Sequence, residues 1–439
     1  MKILIIAHDF PPINRVAALR PYSWAKYWSL MGHDITVITS DGKQVNAPLD
    51  LKNHYLENIQ ERVNIKAIKY LPIKASNDNS TNTTSQTQSY VSNWYQLAKN
   101  GVRRFSNWIG SGSLLAVSLF WILPAYKTAL KIYKQWQFDI IVSTYPPPAA
   151  HLIASLLKTK LDIFWVADYR DLWHGVHSRT EKALFSYIQK QLENNTVSKA
   201  DLITTVSYPL SHQLTNRFGN KTIVIENGFD LDDLFLIQKS DSYFPEDGKV
   251  RLGYTGKIHS VKQDPSPLFE AINYLEKHHQ SIKPHLELIF YSLDHSEIRK
   301  IAQKYNLQDI LNCQPYVERD KILKIQSSLD ALIFLDWNDP NVEGIFTGKL
   351  FEYLYSGTPI LGISATPNTV AGKLIKDAGV GVCLGNSVEQ IAQTLLDLVY
   401  HQGIEYSPSQ DVLQRYSREH LAKKILNEII NQHHLHYGK

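Results

Sequence analysis

The strongest constraint on how this chain can fold is the repeated alternation of short, nearly all-apolar runs with longer stretches of helical spacing. The runs fall at residues 2–7, 35–39, 140–143, 163–167 and 202–206, and a second series follows at 250–254, 286–291, 331–335, 359–363 and 379–384. A strand that is apolar at every position has no face to give to water. It must be covered on both sides, and the intervals are long enough for the helices that would cover it. The pattern therefore predicts an α/β chain with two doubly wound, Rossmann-like parallel sheets, one for each series.

The length of 439 residues agrees, since it exceeds the size at which one core stops growing. Between the two series, 239–248 is polar and turn-rich and reads as a linker, which gives a first domain at 1–238 and a second at 249–415. The tail 416–439 carries Leu421, Ile425, Ile429 and Ile430 at helical spacing. An amphipathic helix of this kind needs an apolar surface, and the first domain is the expected one. The tract 75–93 is mostly Ser, Thr, Asn and Gln, too poor in apolar side chains to offset its ordering entropy, and is expected to be a mobile loop.

A formal charge of +4 with no concentrated basic face argues against a nucleic-acid partner. Cys313 and Cys383 show no metal-ligand spacing and no disulfide framework. The N-terminus reads as a first strand rather than a secretion signal, and the longest apolar run, 114–125, contains Pro124 and is too short to span a bilayer. A cytoplasmic location follows as an expectation.

Chemistry concentrates in the segment 344–361. Thr347 can cap a short helix that ends at Gly357 ahead of a buried strand. The N-terminus of that helix offers backbone N–H groups and a positive dipole end to a diphosphate, Gly348 permits close approach, and Lys349 adds a cation. Glu352 falls on the same helical face as Gly348, where its carboxylate can accept hydrogen bonds from vicinal ribose hydroxyls. A solvated helix glutamate gives the same local pattern. Asp168, Arg170 and Asp171 follow a very apolar run and should project from the end of a strand, where doubly wound sheets bind ligands. A carboxylate there can orient or deprotonate an acceptor hydroxyl, and Arg170 can hold a carboxylate or phosphate. A structural Asp–Arg pair is the other reading. Asp232 and Asp233, beyond the Asn227-Gly228 turn, read as a solvated loop.

The segment Lys349-Leu-Phe-Glu-Tyr-Leu-Tyr-Ser-Gly-Thr-Pro359 resembles the C-terminal motif of glycosyltransferase family 4. Matching features recur in order along nearly the whole chain: Phe10-Pro11-Pro12, Gly32-His33, Asp168-Tyr-Arg-Asp-Leu-Trp173, Asn227-Gly-Phe-Asp230 and Tyr254-Thr-Gly-Lys257. The resemblance implies a GT-B fold, two Rossmann-like domains facing each other across a cleft, and a retaining, nucleotide-sugar-dependent glycosyltransferase with no cofactor and no required metal. It implies donor contacts from Thr347, Gly348, Lys349, Leu350, Glu352 and Gly256, and a basic pair at the diphosphate, Lys257 and Lys262. Of the family's two glutamates separated by seven residues, Glu352 matches the second. The first falls on Gly344, with Glu343 one position away. Where relatives carry a Gly-Gly pair this chain has Asn14 and Arg15, which become donor-side candidates, Arg15 for the diphosphate or the acceptor, with Arg20 a further candidate, and Pro21 suggests that the following helix starts late or kinks.

The implied partners are a nucleotide sugar and a glycan or lipid-linked acceptor, commonly in cell-surface polysaccharide synthesis. Lys127, Lys131 and Lys134 line one helical face near Arg103, Arg104 and Trp108, a basic and aromatic region that could rest on anionic lipid at the inner face of the plasma membrane. A core helix explains the same pattern. A nucleotide-sugar epimerase of the same fold and a catalytically silent sugar-binding subunit are the competing functions.

Overall fold

The computed structural model describes residues 1–42, 53–70, 113–173, 183–219, 222–236, 242–258, 263–278, 281–292, 294–337, 348–400 and 403–438. The chain divides into two compact units, Met1–Ile225 with Ala422–Lys439, and Glu226–Leu421.

In the first unit the described strands are β1 Lys2–Ile6, β2 Asp34–Ser40, β3 Val63–Ile68, β4 Ile140–Tyr145, β5 Phe164–Tyr169, β6 Leu202–Thr205 and β7 Thr222–Val224. They form one parallel sheet in the order β3-β2-β1-β4-β5-β6-β7. The order reverses between β1 and β4, so the loops after those two strands diverge and leave a crevice at the carboxyl edge. The core explains the apolar runs: Leu4, Ile6, Ile141, Trp165 and Ala167 are buried against Trp121, Ala125, Ala129 and Ile132 of the helix Ser113–Trp136. The helix Val16–Leu30 starts directly after Arg15 and contains Pro21, so it does not start late. In the helix Arg418–Tyr437, Ile425 and Ile429 are buried, and Trp28 donates its indole N–H to the Ala422 carbonyl over 2.8 Å.

The second unit contains β8 Val250–Thr255, β9 Leu286–Tyr291, β10 Leu311–Gln314, β11 Ala331–Leu335, β12 Ile360–Ile363 and β13 Gly381–Gly385. These are parallel in the order β10-β9-β8-β11-β12-β13, reversing between β8 and β11. The period-2 alternation of a strand is visible in its core. Leu288, Phe290, Ile333 and Leu335 pack against the helices Ser266–His278 and Val388–Tyr400 on one face. Their neighbours Ile289, Tyr291, Leu332 and Phe334 pack against Gly348–Tyr355 and Val370–Ala378 on the other. Both units are thus parallel sheets covered on two faces, as the apolar runs require. Among the described residues, no helix is long and apolar enough to cross a membrane.

Candidate active site

The second unit places the start of the helix Gly348–Tyr355 beside its switch point. β8 ends at Thr255, and Gly256 turns the chain with φ +104°, a conformation that disfavours any side chain. A Cβ there would sit 3.6 Å from Lys349 Nζ, so the turn and the first residues of the helix Gly348–Tyr355 lie against each other. Lys349 donates from Nζ to the Tyr254 hydroxyl and, over 3.4 Å, to the Lys257 carbonyl. Its ammonium lies 4.0 Å from the Tyr254 ring centroid, and the Tyr254 hydroxyl itself donates to the Lys257 carbonyl at 2.9 Å. Burial pulls the Lys349 pKa down to about 7, with the Glu352 carboxylate acting against the fall. The residue as a whole keeps partial exposure, so solvent screening moderates that drop.

Glu352 lies one turn further along. Its Oε1 accepts from Arg319 Nη1, while Arg319 Nη2 donates to Asp233 Oδ2 at 2.9 Å. Asp233 is therefore not a solvated loop residue. It is buried in the 3-10 helix Leu231–Leu236 and ion-paired. Leu350 also differs from a simple ligand residue. Its side chain is wholly buried in the core beside Leu354, leaving only its backbone for a donor. The Lys257 side chain is exposed at the switch point. Lys262, Thr347, Glu343 and Gly344 lie outside the described residues, as do the tract 75–93 and Arg103, Arg104 and Trp108.

The motif Asn227-Gly-Phe-Asp230 has a packing explanation within this unit. A Cβ on Gly228 would meet the Tyr416 carbonyl at 2.3 Å, Arg418 Nε donates to the Gly228 carbonyl at 2.9 Å, and the Phe229 ring stacks on Tyr355. Only glycine permits that approach.

In the first unit β5 runs two residues beyond the apolar stretch, so Asp168 stands inside the strand instead of projecting from its end. The carboxylate is wholly buried. It accepts from Arg20 Nη2 at 2.8 Å, from Thr144 Oγ1 at 2.8 Å and from Thr204 Oγ1 at 2.7 Å. The neighbouring strands β4 and β6 each present a threonine because the buried oxygens must be met there. The cation paired with Asp168 is thus Arg20, from the helix after β1, and not Arg170 of its own segment. Arg170 is half-buried and donates to the Tyr145 and Pro146 carbonyls at 3.0 and 2.8 Å, which fixes it over the loop after β4, and Asp171 is exposed.

The loop after β1 brings the candidate Arg15 together with His8 and Asp9, which the sequence did not single out. His8 Nδ1 and Asp9 Oδ1 are 2.8 Å apart, and His8 Nε2 lies 3.0 Å from the Tyr70 hydroxyl. Arg15 Nη1 donates to Asp9 Oδ2 at 3.1 Å, and Asn14 is half-buried beside it. Burial would raise the Asp9 pKa. The hydrogen bond and charge of His8, with the charges of Arg15 and Arg170, outweigh it and hold the carboxyl below its ordinary value. Among the described residues, no group of three or more His, Cys, Asp or Glu is arranged to hold a metal ion.

Two units of this topology, each a doubly wound parallel sheet with its strand order reversing once, are the ingredients of the GT-B fold. The chain is similar to the UDP-forming α,α-trehalose-phosphate synthase of Burkholderia xenovorans in complex with glucose-6-phosphate, with a TM-score of 0.61, 9% identity and coverage of 98% of this chain and 99% of that one. Sucrose-phosphate synthase from Thermosynechococcus elongatus gives 0.57, 12% identity and 98% coverage of both chains. The N-terminal domain of Candida albicans trehalose-6-phosphate phosphatase gives 0.57, 12% identity and coverage of 98% and 97%. At such identities the likeness is one of fold. Residues 95–233 match the family model of Glycosyltransferase Family 4. The helix Gly348–Tyr355 lies outside the matched residues. No curated protein matches the sequence.

Proposed function

We propose that the enzyme moves a sugar from a nucleotide sugar to a glycan or lipid-linked acceptor, with retention of configuration, in cell-surface polysaccharide synthesis at the cytoplasmic face of a membrane. The observation that carries this reading is Lys349: a half-buried ammonium in the first turn of a helix, held by neutral partners against the loop that follows β8. As the glycosidic bond to the donor breaks, negative charge grows on the departing diphosphate. Lys349, Lys257, Lys262 and the N–H groups of the helix N-terminus are suited to hold that charge without a divalent metal. Glu352 is suited to the ribose hydroxyls. In the first unit, Arg170, Asp171, Asn14 and Arg15 border the crevice between β1 and β4 and are the acceptor-side candidates, with Asp168 supporting them from within the strand.

The retention of configuration and the polysaccharide pathway rest on the family resemblance. Contact with a membrane is supported by the outer face of the helix Ser113–Trp136, where Leu119, Phe120 and Leu123 are exposed in line with Lys127, Lys131 and Lys134. Incubation of the protein with labelled nucleotide sugars and lipid extract tests the proposal. Donor-dependent labelling of an acceptor is the expected outcome, and interconversion without transfer, or binding without turnover, would overturn it. Glu352→Ala is expected to weaken nucleotide binding by about tenfold or more, since a charged hydrogen-bond acceptor is lost.

A further inference from the structure

Arg319 opens the helix Arg319–Ser327, and its side chain is only 9% exposed. It joins two carboxylates from separate elements, Asp233 in the 3-10 helix Leu231–Leu236 and Glu352 in the donor helix. Burying a guanidinium and two carboxylates is costly, and apolar side chains often serve stability as well or better. The arrangement does something packing alone would not require: it fixes direction. A guanidinium is a planar fork, so one N–H group held by Asp233 sets the angle at which the other meets Glu352. With Oε1 of Glu352 committed to Arg319, the remaining oxygen has a defined position.

We propose that Arg319 is a positioning residue, bridging Asp233 and Glu352 so that the carboxylate of Glu352 is pre-set to receive the two ribose hydroxyls of the donor nucleotide. The inference rests on the nucleotide-sugar reading of the same site and adds a residue that the sequence motif does not contain. Arg319 itself touches no substrate. Its effect is confined to the sugar edge of the nucleotide, which separates positioning from general support of the fold.

Calorimetric titration with UDP, GDP and ADP, each beside its 2′,3′-dideoxy counterpart, tests this. The unaltered protein should bind the ribose form of its preferred nucleotide about 10- to 100-fold more tightly than the dideoxy form. In Arg319→Gln the ratio should fall below about threefold, while affinity for inorganic pyrophosphate stays within about twofold. Arg319→Lys keeps the charge without the fork, and its ratio should stay close to that of Arg319→Gln. Because Arg319→Gln leaves two carboxylates without their shared cation, the double variant Arg319→Gln/Asp233→Asn repeats the measurement with one buried charge removed. Equal weakening of both nucleotide forms, with the ratio preserved, would overturn the positioning role and leave the nucleotide site standing. The positioning role is likewise overturned if the unaltered protein binds nucleotide but does not discriminate against the dideoxy form. No binding of any nucleotide by the unaltered protein would overturn the site and this inference together.

Discussion

Asp168 and Lys349 occupy comparable places, each at the carboxyl edge of its own unit's sheet near the point where strand order reverses, and they are treated in opposite ways. Asp168 is met by a guanidinium and two threonine hydroxyls at 2.7–2.8 Å, so its charge is fully answered within the fold. Lys349 is met by a phenol, an aromatic face and one carbonyl at 3.4 Å. Among the described residues, no carboxylate pairs with it. A charge with complete partners acts as a strut, and its removal is felt as instability. A desolvated charge with neutral partners is poorly stabilised until an anion arrives, and its removal is felt in binding. The two units share a topology, and on the proposed reading they divide these tasks.

The largest expected effect breaks the strut. Asp168→Ala leaves Arg20 buried without a counter-charge and should lower the stability of the first unit by about 3–5 kcal/mol. Chemical denaturation should show this as an early unfolding transition, while nucleotide affinity in the second unit is retained before that transition. If Asp168→Ala instead unfolds like the unaltered protein and loses only turnover, the contrast fails and Asp168 becomes a reacting group.

The contrast also explains what the sequence made legible. Central strands such as β1 and β11 read clearly because burial on both faces leaves an unbroken apolar run. β3, with the sequence Val-Asn-Ile-Lys-Ala-Ile, lies at a sheet edge with exposed positions, and β10, Leu-Asn-Cys-Gln, is another edge. Neither carries the two-sided signal, and β7 is only three residues long. The polar end of β5 misleads for a related reason. Asp168 looks like a loop residue because the threonines that satisfy it are 24 and 36 positions away. Lys349 was legible because its setting is local: a helix start, a glycine and a motif. Arg319 and Asp233 were not, since their pairing across 86 residues exists only once the second unit has folded.

The next effect concerns the outer surface of the first unit. Beyond the crevice of the first unit, the exposed Lys127, Lys131 and Lys134 beside Leu119, Phe120 and Leu123 offer a second contact surface. Each lysine near an anionic bilayer contributes about 1 kcal/mol, so replacing all three with glutamine should weaken partition onto phosphatidylserine vesicles by about 100-fold at low salt. Binding to neutral vesicles should change little, and nucleotide affinity not at all. Unchanged sedimentation with anionic vesicles would assign the helix to the core alone.

The smallest effect is a pH dependence that tests Lys349 most directly. Burial holds its folded-state pKa near about 7, below the ordinary lysine value that the unfolded chain shows. Between those two values the unfolded chain binds the extra proton, so this group makes the ligand-free protein more stable as pH rises through that window. Ligand affinity should run the other way. A diphosphate favours the ammonium, binding draws in a proton, and that proton becomes harder to supply as pH climbs. Affinity for the preferred nucleoside diphosphate should therefore fall by about tenfold between about pH 6.5 and about pH 8.5. Titration in buffers of different ionisation enthalpy should show net proton uptake at the upper end. The nucleotide's own terminal phosphate gains negative charge as pH rises, which would by itself strengthen binding to any fixed cation. Lys349→Arg supplies that comparison, because a guanidinium stays charged throughout. Its affinity should hold level or rise where that of the unaltered protein falls. Parallel pH profiles for the two proteins would mean that Lys349 is already answered within the fold, a second strut, and the division of tasks between the units would be lost.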